Sequence, residues 1–149
     1  MKTKFLIFVL FAFIFSSSLT SCKKKEIEKE RNLEPTAKEL ISRGIWNYYL
    51  IETYDSSGNL RASNSLNYRE EYTVSNNFYM YEDSSHLIYY GTYTIDEGSD
   101  PMILKLTIYS TGGSSGGQLV QGEILKLSET EMEIKMNGSP FYYIKKYRR

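Results

Sequence analysis

The sequence has 149 residues, with 18 basic and 18 acidic side chains, one histidine and one cysteine. That length holds the chain to one domain with at most a tail. The single cysteine excludes an internal disulfide or a multi-cysteine zinc site, the single histidine excludes a His-rich metal centre, and a formal charge of zero argues against a nucleic-acid partner.

The N-terminus reads as an address. Lys2 and Lys4 form a short positive region, Phe5 to Phe15 is an unbroken apolar run, and Ser16 to Ser21 is small and polar apart from Leu19. The run is too short to cross a bilayer as a helix, which needs about 20 residues, and the layout is that of a secretory signal peptide over residues 1–21. The junction Leu19-Thr20-Ser21-Cys22 resembles a bacterial lipobox, with an aliphatic residue at −3, a small one at −1 and the lone cysteine directly after. That resemblance implies that Cys22 becomes the first mature residue and is lipidated, palmitate being a typical acyl group. A lipidated Cys22 anchors an otherwise soluble domain in a membrane, stably so with more than one acyl chain.

Residues 22–34 follow as a charged tether. KKKEIEKERNLE lacks the bulky apolar groups needed to order itself, and Lys23 to Lys25 suit anionic headgroups. A charged stretch after the cysteine resembles the surface-export signals of Bacteroidetes lipoproteins, which favour acidic residues very near the cysteine. Here three lysines precede Glu26. The expected location is the cell envelope, at the outer membrane, with the leaflet open.

The domain spans residues 35–149. Thr36 and Glu39 have capping-box spacing, and Gly44 is a natural helix stop, which predicts a helix of about two turns. Strand signals then run to the end: Ile45–Tyr54, Leu66–Val74, Phe78–Glu82, Ile88–Ile95, Met102–Ser110, Leu119–Leu127, Met132–Met136 and Phe141–Tyr147. Turn residues separate them at Ser56–Asn59, Asn76-Asn77, Glu97–Asp100, Thr111–Gly117, Ser128–Glu131 and Asn137-Gly138. Met102, Leu104, Leu106 and Ile108 alternate with polar residues, as do Met132, Ile134 and Met136, which predicts strands with one face buried. Short strands with hairpin links and no βαβ spacing point to antiparallel β, either a sandwich or an up-and-down barrel. A meander of eight strands hides its edges by closing. The expected fold is an all-β, eight-stranded antiparallel barrel with a short N-terminal helix.

Gly44-Ile45-Trp46, a G-x-W just after the helix, resembles the lipocalins. The strand Tyr90-Gly91-Thr92-Tyr93-Thr94-Ile95 and the hairpin Ile124–Ile134, with Leu127-Ser128 at its turn, resemble features of the small lipocalin-like lipoproteins of Bacteroidetes. The resemblance covers about Glu39 to the C-terminus. It implies that Trp46 packs across the closed end of a calyx under a basic residue from the last strand: Lys145, Lys146, Arg148 or Arg149. It implies fold and address more than activity, because members of the family mostly lack an assigned one. The domain is shorter than a typical lipocalin, so its interior either holds a small ligand or is filled with side chains.

No catalytic set stands out. His86 lies in a polar stretch, Asp83-Ser84-Ser85-His86, without nucleophile–base geometry, and a solvated histidine is expected. Asp96, Glu97 and Asp100 crowd one turn without EF-hand spacing. Ser110–Gly117 lacks the ending of a phosphate loop. Glu70 and Glu71 must point to opposite faces, so they cannot act as one carboxylate pair, and outward charge is expected there and at Glu52. Neither metal nor cofactor is expected.

The 14 tyrosines carry the most weight. The adjacent pairs 48/49, 89/90 and 142/143 must divide between the two faces. β-propensity and core filling are one explanation for the tyrosines. A tyrosine-lined cavity suits an amphipathic ligand, and a tyrosine-rich outer face suits a protein or glycan. Two functions follow. One is a membrane-anchored, non-catalytic binding protein for a small apolar or amphipathic ligand, lined by Tyr48, Tyr90, Met102, Leu104, Leu106, Met132, Ile134 and Met136. The other is a filled barrel that binds or inhibits another envelope protein.

Overall fold

The capping residues at Thr36 and Glu39 do start a helix. In the computed structural model, which describes residues 34–83, 85–113 and 116–149, Thr36 Oγ1 accepts the Glu39 N–H at 3.2 Å and the Glu39 carboxylate accepts the Thr36 N–H at 2.9 Å. The helix α1 (Ala37–Ile41) is shorter than two turns. Ser42 already turns its N–H and hydroxyl onto the Lys38 carbonyl, and the chain passes directly into the first strand. The signal region 1–21, Cys22 and all of the tether except Glu34 lie outside the described residues.

Eight strands follow: β1 (Ile45–Asp55), β2 (Leu60–Tyr72), β3 (Asn77–Glu82), β4 (His86–Asp96), β5 (Met102–Ser110), β6 (Gln118–Leu127), β7 (Glu131–Asn137) and β8 (Phe141–Arg148). Each pairs antiparallel with the next, and β8 returns to β1, for example Tyr147 opposite Tyr48. The fold is thus all-β, a closed eight-stranded up-and-down barrel with one short helix among the described residues, consistent with a lipocalin-like fold. Closure leaves no full-length sheet edge to template aggregation.

One strand is longer than its pattern predicts. β2 begins at Leu60, six residues before the expected Leu66, and its first half is polar and exposed. This half is held by β1 alone: Leu60 to Ser65 pair with Tyr54 to Leu50, whereas β3 meets β2 only from Tyr68 to Tyr72. Asp55 fixes the connecting turn by accepting the N–H groups of Ser57 and Asn59 at 2.9 Å and by pairing with Arg61. With neither face buried, no alternation marks this half in the sequence.

The core lies toward one end. Ile41, Trp46, Tyr48, Tyr72, Phe78, Tyr93, Leu104, Leu106, Ile124, Met132, Ile134 and Tyr147 are buried together. They come from α1, the first half of β1, the last residue of β2, the start of β3 and the strand segments level with them. Burying a side chain of this size is worth about 1.5–3 kcal/mol, so this cluster dominates the fold's stability. Every one of these described core residues lies within Pro35–Arg149, which forms one compact unit.

The same end is sealed. The Trp46 indole N–H donates to the Ile41 carbonyl at 2.8 Å. Of the four basic residues considered for covering it, Arg149 does so: its guanidinium lies 3.8 Å from the indole ring centroid and donates to the carbonyls of Leu40, Ile41 and Glu129. Lys145 points into the barrel, Lys146 pairs with Glu52 at 3.0 Å, and Arg148 covers Tyr49. Lys38 N–H, donating to Glu97, ties α1 to the β4–β5 turn.

Gly91 allows β4 and β5 to approach closely. A Cβ there would stand 1.8 Å from the Thr107 carbonyl oxygen, inside any tolerable contact.

Candidate functional site

The other end of the barrel is not filled. A cavity of about 300 Å³ lies above the packed core, at the small end of the range for ligand pockets. Its walls are Ile51 from β1, Phe78 and Met80 from β3, Leu106 and Ile108 from β5, Val120 from β6 and Met136 from β7. Tyr89, Gln118 and Tyr143 also line it. Tyr89 and Gln118 are exposed, so solvent reaches the space from the rim. The loops β1–β2, β3–β4, β5–β6 and β7–β8 all belong to this end.

Two charges line this apolar space, Glu70 and Lys145. The Glu70 side chain is 1% exposed and was expected to point outward; it points inward instead. The phase of β2 explains why. Glu70 shares its face with Tyr68 and Tyr72, and Tyr72 is buried, so burying the aromatic residues carries the carboxylate inside. There it accepts the Tyr72 hydroxyl at 2.7 Å and the Tyr147 hydroxyl at 3.3 Å. The Lys145 Nζ lies 3.8 Å from the same carboxylate and 4.9 Å from the Tyr48 ring centroid. Burial and the Glu70 charge together hold the phenols of Tyr48, Tyr72 and Tyr147 well above the ordinary tyrosine range, so all three stay protonated donors. The cavity therefore has apolar walls and a polar floor that is electrically paired.

The expected lining residues divide. Leu106 and Met136 line the cavity. Tyr48 lies at its floor, under Lys145. Leu104, Met132 and Ile134 are buried in the packed half and Met102 packs against them, so these four build the core and do not reach the cavity. Tyr90 is on the outer wall, its ring 5.6 Å from that of Tyr109. The residue that lines the cavity is its neighbour Tyr89, in phase with the buried Tyr93. Gly44 and Trp46 belong to the sealed end.

The adjacent tyrosine pairs do divide between faces. Tyr48 is buried while Tyr49 stacks under Arg148. Tyr143 lines the cavity while Tyr142 stacks on Tyr54 outside, with ring centroids 5.1 Å apart. Phase relative to Tyr93 and Tyr147 was the available signal for Tyr89, Tyr143 and Lys145. Nothing in the alternation of β8 separates Lys145 from Lys146, since both faces of Phe141–Arg148 mix aromatic and charged residues.

The remaining polar groups form no second constellation. His86 opens β4 and is exposed, opposite Glu82. Glu71 and Glu52 lie off the cavity, and Glu52 pairs with Lys146. Among the described residues no group of three or more His, Cys, Asp or Glu side chains is placed to hold a metal ion, and no helix is long and apolar enough to cross a membrane. No protein-family model matches this sequence, and no curated protein matches it significantly.

Proposed function

We propose that this chain is a non-catalytic carrier: a small lipocalin-like barrel of the Bacteroidetes lipoprotein type, held at the cell envelope by an acylated Cys22, that takes a small apolar or amphipathic molecule into its open half. One observation carries the reading. The interior is packed at one end and empty at the other, and the empty part has apolar walls with a single polar pair at its floor. A barrel needed only as a scaffold gains by filling that space, because unfilled apolar volume forgoes packing energy. Anchoring rests on the sequence around Leu19 to Cys22, and the outer membrane is the expected location.

The test is native mass spectrometry of the Pro35–Arg149 unit, purified without detergent, against its denatured mass. An added mass that is released on denaturation supports the carrier reading and identifies the ligand. If the unit is bare and also takes up no apolar probe at high concentration, the reading fails. A second reading, docking of an envelope protein on the outer wall, has the exposed Tyr90, Tyr109 and Leu119 in its favour. It predicts a bare unit that retains such a partner through those residues.

A further inference from the structure

We propose that the cavity selects an apolar monocarboxylate of about ten non-hydrogen atoms, seated with its carboxylate on the Lys145 ammonium. This rests on the carrier reading above and adds the head group to it.

The argument begins with unequal satisfaction of the two charges. Glu70 is satisfied from below, where the hydroxyls of Tyr72 and Tyr147 donate to it at 2.7 and 3.3 Å. Lys145 is not. Its ammonium has three N–H donors, yet its nearest carboxylate oxygen is 3.8 Å away, beyond hydrogen-bond distance, and its other close neighbour is the face of Tyr48. It makes no hydrogen bond to any described residue. Its side chain is only 23% exposed, and the cavity is what it faces. An ammonium with free donors facing an apolar space is matched by an acceptor, and a charged acceptor matches it best.

The rest of the site narrows the class. A cationic ligand meets the Lys145 charge directly. A dianionic phosphate meets Glu70, which leaves a net charge near zero on the floor and no second cation to balance the extra charge. A monocarboxylate needs one ammonium, and the Glu70 carboxylate, 3.8 Å from Nζ, lies beside that ammonium. The walls, Ile51, Phe78, Met80, Ile108, Val120 and Met136, offer dispersion contacts and no further charge. The size follows from the volume. At about 30 Å³ for each water-sized group, a cavity of about 300 Å³ holds about ten such groups. Octanoate has the matching size and chemistry.

The experiment compares octanoate with 1-octanol, which has nearly the same chain without the charge. Both are titrated calorimetrically at neutral pH into the Pro35–Arg149 unit stripped of any bound molecule. Octanoate is expected to bind about ten- to a hundredfold more tightly, the range of one charge-assisted hydrogen bond in a desolvated site. Lys145→Met should erase the difference, and Lys145→Arg should retain it. If 1-octanol binds the unaltered protein as tightly as octanoate, the head-group assignment is wrong and the carrier reading stands. If neither binds, both are wrong. The comparison on the unaltered protein decides the matter even where Lys145→Met fails to fold.

Discussion

Replacing Trp46 by alanine tests how the sealed end holds the barrel. Trp46 is fully buried at the start of β1, with the Arg149 guanidinium on its face and its indole N–H on the Ile41 carbonyl at 2.8 Å. Truncating a buried tryptophan costs about 3–5 kcal/mol through lost transfer energy and the cavity left behind. The lost indole hydrogen bond adds about 1 kcal/mol. It also strands Arg149, whose Nε is already buried without a partner and whose charge is disfavoured first by desolvation. A loss of about 4–6 kcal/mol is a large part of the 5–15 kcal/mol that stabilises an ordinary domain. Urea unfolding of the Pro35–Arg149 unit, followed by far-UV circular dichroism, should therefore show a midpoint lowered by more than about 1 M, since the slope is about 1–3 kcal/mol/M. Trp46→Phe keeps most of the ring volume and loses the N–H, and should cost only about 1–2 kcal/mol. A midpoint for Trp46→Ala close to that of the unaltered unit would refute the reasoning. Equal losses for Ala and Phe would assign the stability to the hydrogen bond and not to packing.

Arg149→Met removes the cover and its hydrogen bonds to Leu40, Ile41 and Glu129. Emission from Trp46, the only tryptophan, should shift to the red, and an unmoved spectrum would show that the guanidinium does not shield the ring. Gly91→Ala drives a methyl group into the Thr107 carbonyl and should cost at least about 1–3 kcal/mol, read as a lowered melting temperature. Tyr48, Tyr72 and Tyr147 have folded pKa values raised above the unfolded value of about 10, so their contribution is intact below that pH. It is lost as pH rises above it, by up to about 1.4 kcal/mol per pH unit for each group. Tyrosinate absorbance should thus rise in two stages, exposed rings first and the buried ones together with unfolding; a single smooth titration near pH 10 would argue against the buried cluster. Cys22→Ser in the full chain should abolish metabolic labelling by fatty acid, and labelling that persists would remove the anchor from the proposal.

The fold was more legible than the site, for a physical reason. Met102 to Ile108 and Met132 to Met136 alternate cleanly because one face of each strand packs on the core and the other meets water. The turn residues then limit where the chain can reverse. That was enough for eight strands and closure. The first half of β2 was not legible, because Leu60–Ser65 is exposed on both faces and its order comes from pairing with β1, which leaves no composition signal. The site was hidden by parity. Tyr89-Tyr90, Glu70-Glu71 and Lys145-Lys146 are doublets of like residues, so a pattern of residue types does not tell which member faces inward. Only the phase carried from a buried neighbour, Tyr93, Tyr72 or Tyr147, resolves each one. The strongest apolar alternations marked the packed half, which is why Leu104, Met132 and Ile134 were expected at the ligand and are found beneath it.

The unpaired flank of β2 gives the two halves of the barrel different lifetimes. Between Leu60 and Asn67 the amide groups that face away from β1 have no strand partner, and Leu60 to Ser65 are exposed throughout. Such amides exchange with solvent through local opening at little free-energy cost, whereas those beside Trp46, Tyr72 and Ile134 exchange only when the whole domain unfolds. The rim can therefore open and reclose many times within the life of one folded molecule, while the sealed end stays shut. Substitutions at the rim are correspondingly cheap, and a lineage can alter what passes the mouth of the barrel without putting its fold at risk.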